Sequence, residues 1–159
     1  MSAKKKDAEK NTAPSAFNRQ ARHEYHIEYS MEAGMVLKGS EVKSLREGEV
    51  QLKEGYAHIR KGEVFLEAVH FRPYSQTTTS IPEPVRSRKL LLHKHEIEKL
   101  DRDVSHKAMT LIPLKIYFKE GLAKLQLGVG KGKKLHDKRE SIKNRENKRE
   151  LDRITKKFK

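Results

Sequence analysis

The chain contains no cysteine, which excludes disulfides, thiolate metal sites and cysteine nucleophiles together. It holds no run of eighteen apolar residues, so no segment reads as a membrane-spanning helix. Its first ten residues lead into Asn, Thr, Pro and Ser rather than an apolar stretch, which is not the pattern of a secretory signal peptide. No nucleophile motif marks a Ser/His/Asp set. These absences lead to the expectation of a soluble cytoplasmic protein that is not an enzyme and needs no cofactor. Hydrophobic residues are scarce as well, 35% against 36% charged over 159 residues, which suits one compact core with charged extensions.

Positive charge is what the chain has in excess: 36 Lys and Arg against 22 Asp and Glu, a net +14. Charge of that size spread along the sequence points to an anionic partner, with nucleic acid first. The richest stretch is 131–159, where thirteen Lys/Arg face five Asp/Glu, glycine occurs only at Gly132 and proline is missing. Its apolar residues divide at 100° per residue: Leu135 and Ile142 point one way, Leu151, Ile154 and Phe158 roughly the other. No single stripe can dock on a core, and a membrane-surface helix, which needs a continuous apolar face along one side, is disfavoured too. Asp152/Lys156 supports a helix at i,i+4, whereas Arg139/Lys143, Arg145/Arg149 and Glu146/Glu150 repel. The expectation is a tail that is disordered alone and becomes helical when phosphates cancel the repulsion.

Residues 1–16 lack periodic apolar positions and read as a disordered basic arm. From Phe17 the pattern changes. Alternation over 23–30 predicts a half-buried strand, with a further short strand at 35–38 beyond a Gly34 break. Ser40 can cap a helix over 41–47 that Gly48 ends. Runs 56–60 and 63–71 flank Lys61-Gly62 as a hairpin, and 72–85, with three prolines, is a long loop. Leu90-Leu91-Leu92 suggests a buried strand, and Ile97, Leu100 and Val104 give 94–104 an amphipathic helical spacing. Runs 109–118 and 122–129 form another hairpin, with Pro113 at an edge or bulge. About six short strands with two or three short helices favour a mainly β fold, a small antiparallel barrel of the oligonucleotide-binding (OB) type over 17–130, with the tail at 131–159.

Gly128-Val129-Gly130-Lys131-Gly132-Lys133-Lys134 looks like a phosphate loop. Its glycine interval is one residue short, and Lys134 stands where a Ser or Thr should meet magnesium. A flexible basic hinge is the better reading, in which Lys131, Lys133 and Lys134 grip a nucleic-acid phosphate. His95-Glu96 begins a zinc-protease motif that Lys99 breaks. His93, His95, Asp101 and Asp103 could be assembled into a metal site, but their spacing gives no reason to prefer that over polar surface. Phe17 to Tyr25 gathers Asn18, Arg19, Gln20, Arg22, His23 and Tyr25, groups that bind phosphates or stack on unpaired bases. A strand with a polar lead-in explains the same residues.

Several segments together resemble one family: Asn18-Arg19-Gln20-Ala21-Arg22-His23-Glu24-Tyr25, Glu32-Ala33-Gly34, Gly39-Ser40-Glu41-Val42-Lys43-Ser44-Leu45-Arg46, Arg88-Lys89-Leu90-Leu91-Leu92-His93, Gly130-Lys131-Gly132-Lys133-Lys134 and Asp137-Lys138-Arg139. In this order they are similar to the motifs of the SmpB, or SsrA-binding, proteins. The resemblance implies an OB-type barrel that binds the tRNA-like domain of tmRNA and delivers it to stalled bacterial ribosomes. It implies that Asn18, Arg22, Tyr25, Glu32, Gly34, Leu92 and Lys124 lie on or support the tmRNA-facing surface. His23 would serve at the ribosomal decoding centre, and Asp137, Lys138 and Arg139 in the tail on the ribosome. The tail would become a helix in the empty mRNA channel. Elongation factor Tu would enter only through aminoacylated tmRNA, and the protein would act as a monomer. Two readings of other classes are a general single-strand RNA binder or RNA chaperone, and a metal-dependent nuclease built on His93, His95 or Asp101.

Overall fold

Alternation governs the strands of the computed structural model, which describes residues 14–157. Nine strands are present among these residues: β1 (Pro14–Phe17), β2 (Tyr25–Met35), β3 (Val50–Gln51), β4 (Tyr56–Arg60), β5 (Glu63–Glu67), β6 (His70–Phe71), β7 (Arg88–Leu91), β8 (Thr110–Lys119) and β9 (Leu122–Gly132). The helices are α1 (Ala21–Glu24), α2 (Gly39–Arg46), α3 (Lys94–Lys107) and α4 (Leu135–Lys157). Six strands run round a ring in the order β8, β4, β5, β7, β2, β9, and the β8–β9 hairpin closes it. Every pairing in the ring is antiparallel. Closure removes the free edges that an open sheet of this size would expose.

Two long strands make closure possible because each serves two partners on one edge or on both. β2 pairs with β9 along most of its length and passes to β7 only at Gly34 and Met35. β8 pairs with β9 on one side, while its other edge receives β4 at Leu111 and β1 at Lys115 to Tyr117. The register of β8 slips between Pro113 and Lys115, the bulge expected of a proline inside a strand. Inside the ring lie Val64, Leu66, Leu90, Leu111, Ile116, Leu125, Leu127 and Val129. Leu45 of α2 and Leu100 of α3 are buried on the same core, and Ile97 and Val104 pack beside Leu100, as the i,i+3 spacing predicts.

A buried ion pair links the elements outside the ring. Arg88 is fully buried and Glu41 nearly so. The Arg88 Nε and Nη2 donate to Glu41 Oε1 at 3.0 and 2.8 Å. Its remaining hydrogens go to the carbonyls of Val69, Arg86 and Pro84 at 3.0, 2.9 and 3.0 Å. Arg86 donates to the other Glu41 oxygen at 2.6 Å, and the Lys38 N–H reaches it at 2.8 Å. The guanidinium carbon of Arg88 lies 4.0 Å from the Phe71 ring centroid.

Several expectations need correction. The first strand begins at Pro14, inside the arm expected over 1–16; the remainder of that arm lies outside the described residues. Residues 21–24 form α1, so the strand expected from His23 begins only at Tyr25, because Asn18 holds the turn before the helix. β2 runs through Gly34 to Met35, and the separate strand expected over 35–38 is absent, 36–38 being irregular. The α2 helix starts at Gly39, and the Glu41 carboxylate receives the Lys38 N–H; Ser40 gives its carbonyl to the Ser44 hydroxyl instead of capping. Residues 128–132 are strand, not hinge. A Cβ on Gly130 would stand 2.0 Å from the His26 carbonyl oxygen, so this glycine permits strand-to-strand approach. The connection to α4 shrinks to Lys133 and Lys134, and Lys131 belongs to the barrel.

Burial pushes the Glu41 carboxyl up, but hydrogen bonds from Arg86 and Lys38 and the charge of Arg88 outweigh it and hold the group below its ordinary value. A carboxyl depressed by folding stabilises the native state above its unfolded value and loses that contribution as pH falls through the folded one. Glu41→Gln should therefore flatten the acid limb of the stability profile below pH 4.5. At neutral pH it should lower unfolding free energy by about 3–5 kcal/mol, as removal of one partner of a buried pair does. Urea titrations across pH read both effects.

Candidate nucleic-acid interface

Where β2 leaves β9 for β7, the surface opens into a depression of about 470 Å³. Glu32, Gly34, Leu91, Leu92, His93 and Lys124 line it, with Glu96 from the first turn of α3. The register puts Gly34 opposite both Lys124 and Leu91. A Cβ at Gly34 would come within 3.2 Å of the Leu91 Cβ, so a larger residue would push into this corner. Four residues implied by the family resemblance, Glu32, Gly34, Leu92 and Lys124, are thus brought together by the ladder.

Glu32 is held in place from the side. The Tyr117 hydroxyl donates to it, and Lys119 Nζ lies 3.4 Å away. The Tyr117 hydrogen bond, aided by Lys119 and Lys124, keeps the Glu32 carboxyl below its ordinary value. An ionised acceptor beside a lysine and an exposed leucine suits a ribose hydroxyl or base donor next to a phosphate. The leucine run 90–92 is not uniformly buried as its composition suggests: Leu90 and Leu92 turn inward, whereas Leu91 is the exposed leucine, at 52%. Sequence reasoning also passes over Tyr117; only its registration against Lys124 across the hairpin could have suggested it.

The second cluster surrounds α1. Asn18 is buried, donates through Nδ2 to the Pro113 carbonyl at 3.0 Å and accepts the Ala21 N–H at 3.2 Å. It supports the surface and offers no amide to solvent. Arg19 and Arg22 are exposed, and His23 and Tyr25 are half-buried. Tyr25 packs on Ala21, Ile112 and Leu114 and lines a cavity of about 310 Å³ with Lys53 and Tyr56.

The third cluster is the root of α4. The Lys133 N–H donates to the Glu24 carbonyl at 2.8 Å, and its ammonium reaches the Arg22 carbonyl and the Ser141 hydroxyl, both at 3.0 Å. Lys133 therefore latches α1 to the tail. The Asp137 carboxylate accepts the Lys134 N–H at 3.3 Å and lies in the first helical turn, where a negative charge favours the helix dipole. Lys138 is half-buried and Arg139 exposed. Beyond this root, α4 buries no residue, and Leu135, Ile142, Leu151 and Ile154 remain exposed, in agreement with the divided apolar faces.

The histidine and aspartate set considered for a metal does not converge. His93 and His95 stack in parallel 5.6 Å apart, while Asp103 accepts the Tyr29 hydroxyl and pairs with Lys107 at 3.1 Å. Among the described residues the group whose donor atoms do converge, within 4.8 Å, is His136, Asp137 and Glu140 on α4. No helix among them is long and apolar enough to cross a membrane.

The sequence matches the family described as SmpB protein over residues 15–157. The chain belongs to the SmpB family. The SsrA-binding protein of Acetivibrio thermocellus is 54% identical over 138 residues, 87% of this chain and 90% of that protein. The SsrA-binding protein of Streptococcus pneumoniae serotype 4 is 51% identical over 141 residues, 89% of this chain and 91% of that protein. A chain from a solved structure described as "tmRNA-SmpB: a journey to the center of the bacterial ribosome" shares 49% identity, with a TM-score of 0.64 over 75% of this chain and 84% of that one. The mainly antiparallel barrel with its short helices is thus the fold of an SmpB chain. The family is one of RNA-binding adaptors rather than enzymes.

Since Lys133 aims the tail, Lys133→Met should broaden the spread of α4 directions while leaving the barrel folded. The absence of native cysteine allows spin labels at Lys53→Cys and Lys148→Cys. A wider distance distribution in the Met variant, with a thermal midpoint changed by no more than about 4 °C, the shift that about 1 kcal/mol gives, is the expected result.

Proposed function

We propose that this chain is the adaptor of trans-translation: it binds the tRNA-like domain of tmRNA, brings it to stalled ribosomes and enables rescue and tagging of the nascent peptide. The observation that carries this reading is the meeting of Glu32, Gly34, Leu92 and Lys124 round one depression on a barrel of the SmpB family. Lys124 and Arg22 neutralise phosphates, Tyr25 offers a ring face for stacking, and Glu32 accepts from a ribose or base. Lys131 and Lys134 add charge beside them, and Arg19 extends the same basic rim. Partners in this scheme are tmRNA and ribosomal RNA, with elongation factor Tu joined only through aminoacylated tmRNA. The chain works as a cytoplasmic monomer and uses no cofactor.

His23 stands beside the root of the tail, so a barrel seated on tmRNA presents this histidine to the decoding centre while Asp137, Lys138 and Arg139 lead into the mRNA channel. A helix of 23 residues extends about 35 Å at 1.5 Å per residue. It enters only where message is absent, because an mRNA strand occupies the same volume. Its charged, core-free surface then faces rRNA phosphates.

Three measurements test this reading. Lys124→Ala should weaken binding to the tRNA-like domain about tenfold and reduce the salt slope by about one, as loss of a single phosphate contact does; unchanged affinity would remove Lys124 from the interface. Equal binding of the intact protein to the tRNA-like domain and to another structured RNA of the same length would mark a general RNA-binding barrel. Truncation after Lys134 spares β9 and should leave tmRNA affinity within about twofold while abolishing peptide tagging. Loss of both activities together would show that tail and barrel do not divide the work.

A further inference from the structure

One wall of the depression is the first turn of α3, which brings His93 and Glu96 to it. The helix packs on the core through Ile97, Leu100 and Val104. Apolar contact of this kind is non-directional, so it holds α3 down without fixing how far the helix rolls about its own axis. A directional contact is needed to fix the roll, and β2 supplies one.

Glu96, Lys99 and Asp103 follow one another at i, i+3 and i+7 and therefore share a face of α3. Asp103 is buried and accepts the Tyr29 hydroxyl of β2. The Lys99 ammonium lies 4.4 Å from the centroid of the same Tyr29 ring. The phenol is thus held by an anion at its hydroxyl and by a cation on its face. The Tyr29 hydrogen bond, with Lys107 and Lys99 beside it, keeps the Asp103 carboxyl below its ordinary value, so the acceptor is ionised and the bond charge-assisted. The other side-chain bonds of α3 among the described residues, Glu96 to the His93 N–H at 2.8 Å and Lys107 to Asp103 at 3.1 Å, stay within the helix and its cap. Tyr29 precedes Gly34 on one strand. β2 therefore meets the same face of α3 twice, at Tyr29 and at the depression that Gly34 and Glu96 both line.

We propose that Tyr29 is a positioning residue for tmRNA binding: through Asp103 and Lys99 it sets the roll of α3, and with it the place of His93 and Glu96 on the wall, without touching the RNA. This inference rests on the reading that tmRNA occupies the depression.

The test compares full-length variants for affinity to the tRNA-like domain and for thermal midpoint. Tyr29→Phe keeps the ring beneath Lys99 and removes the hydroxyl; affinity should fall about fivefold, as it does when the competent arrangement drops to about a fifth of the molecules. Asp103→Asn, whose amide oxygen still accepts from the hydroxyl, should bind within about twofold of the native chain. Tyr29→Phe combined with Asp103→Leu replaces both polar partners and should bring the midpoint to within about 4 °C of native. Its affinity should stay about fivefold low, because an apolar pair packs without selecting one roll. Native affinity in Tyr29→Phe would overturn the proposal, and so would affinity that recovers together with the midpoint in the double variant, which would leave the bond a purely structural role. Should the double variant not fold, Tyr29→Phe against Asp103→Asn decides alone. Lys124→Ala reports separately on the depression: unchanged affinity there removes tmRNA from it, whereas weakened binding there with native affinity in Tyr29→Phe removes only the positioning role.

Discussion

The Arg88–Glu41 pair is the interaction on which the arrangement around the barrel depends. One guanidinium joins α2, the carbonyls at 69, 84 and 86, and the start of β7. The 72–87 loop has little apolar surface of its own to bury, and its path is set where Pro84 and Arg86 give their carbonyls to Arg88. Desolvating two ions is expensive, so such a pair adds little net stability compared with apolar residues of the same volume. Its geometry is demanding, however, because every donor of Arg88 has a fixed partner and no buried side-chain polar atom among the described residues lacks one. Alternative placements of α2 would strand a charge. We attribute to the pair a specifying role more than a stabilising one.

That specification reaches the depression at Gly34 through three residues of chain. Arg88 starts β7, and Leu91 ends it on the wall of the depression. Fixing Arg88 fixes the register of β7 against β2, hence the corner at Gly34 where Leu91 and Lys124 face each other across one residue. Glu32 is positioned from the opposite side by Tyr117 and Lys119 of β8. The walls therefore come from β7, β2, β9 and the first turn of α3, with β8 bracing Glu32 from the side, and the depression exists because β2 changes partner there.

Features encoded by local periodicity were legible in the sequence. The β4–β5 and β8–β9 hairpins and α3 follow directly from alternation, i,i+3 spacing and turn residues, and the proline bulge in β8 from the missing donor. Features set by distant partners were not. The α1 helix has four residues and owes its place to Asn18, whose amide reaches carbonyls 34 and 95 positions away. Arg88 sits in a basic, leucine-rich run where nothing local marks it as the most buried charge. The glycines at 128–132 resembled a loop because sequence shows their flexibility but hides the neighbouring strand that Gly130 must admit. Glu32, Gly34, Leu92 and Lys124, which the resemblance groups, line one depression, whereas Asn18 and Lys133 bond to backbone carbonyls, a distinction that residue type alone does not carry.

The tail follows a different logic from the barrel. Nothing along α4 is buried, and three of its i,i+4 pairs repel, so neither packing nor side-chain pairing dictates where it points. Its definition comes from the root: the Asp137 cap, the Ser141 hydroxyl on the Asp137 carbonyl at 2.8 Å and the Lys133 latch to α1. A helix anchored at one end and solvated along the rest is a poor structural element but a suitable probe. Its direction is set by contacts to α1, whose His23 belongs to the same corner, so the barrel's orientation and the tail's heading are mechanically coupled. An apolar stripe along one side would bind the tail back to the barrel, and the division of Leu135 and Ile142 from Leu151 and Ile154 between two faces leaves the helix solvated instead.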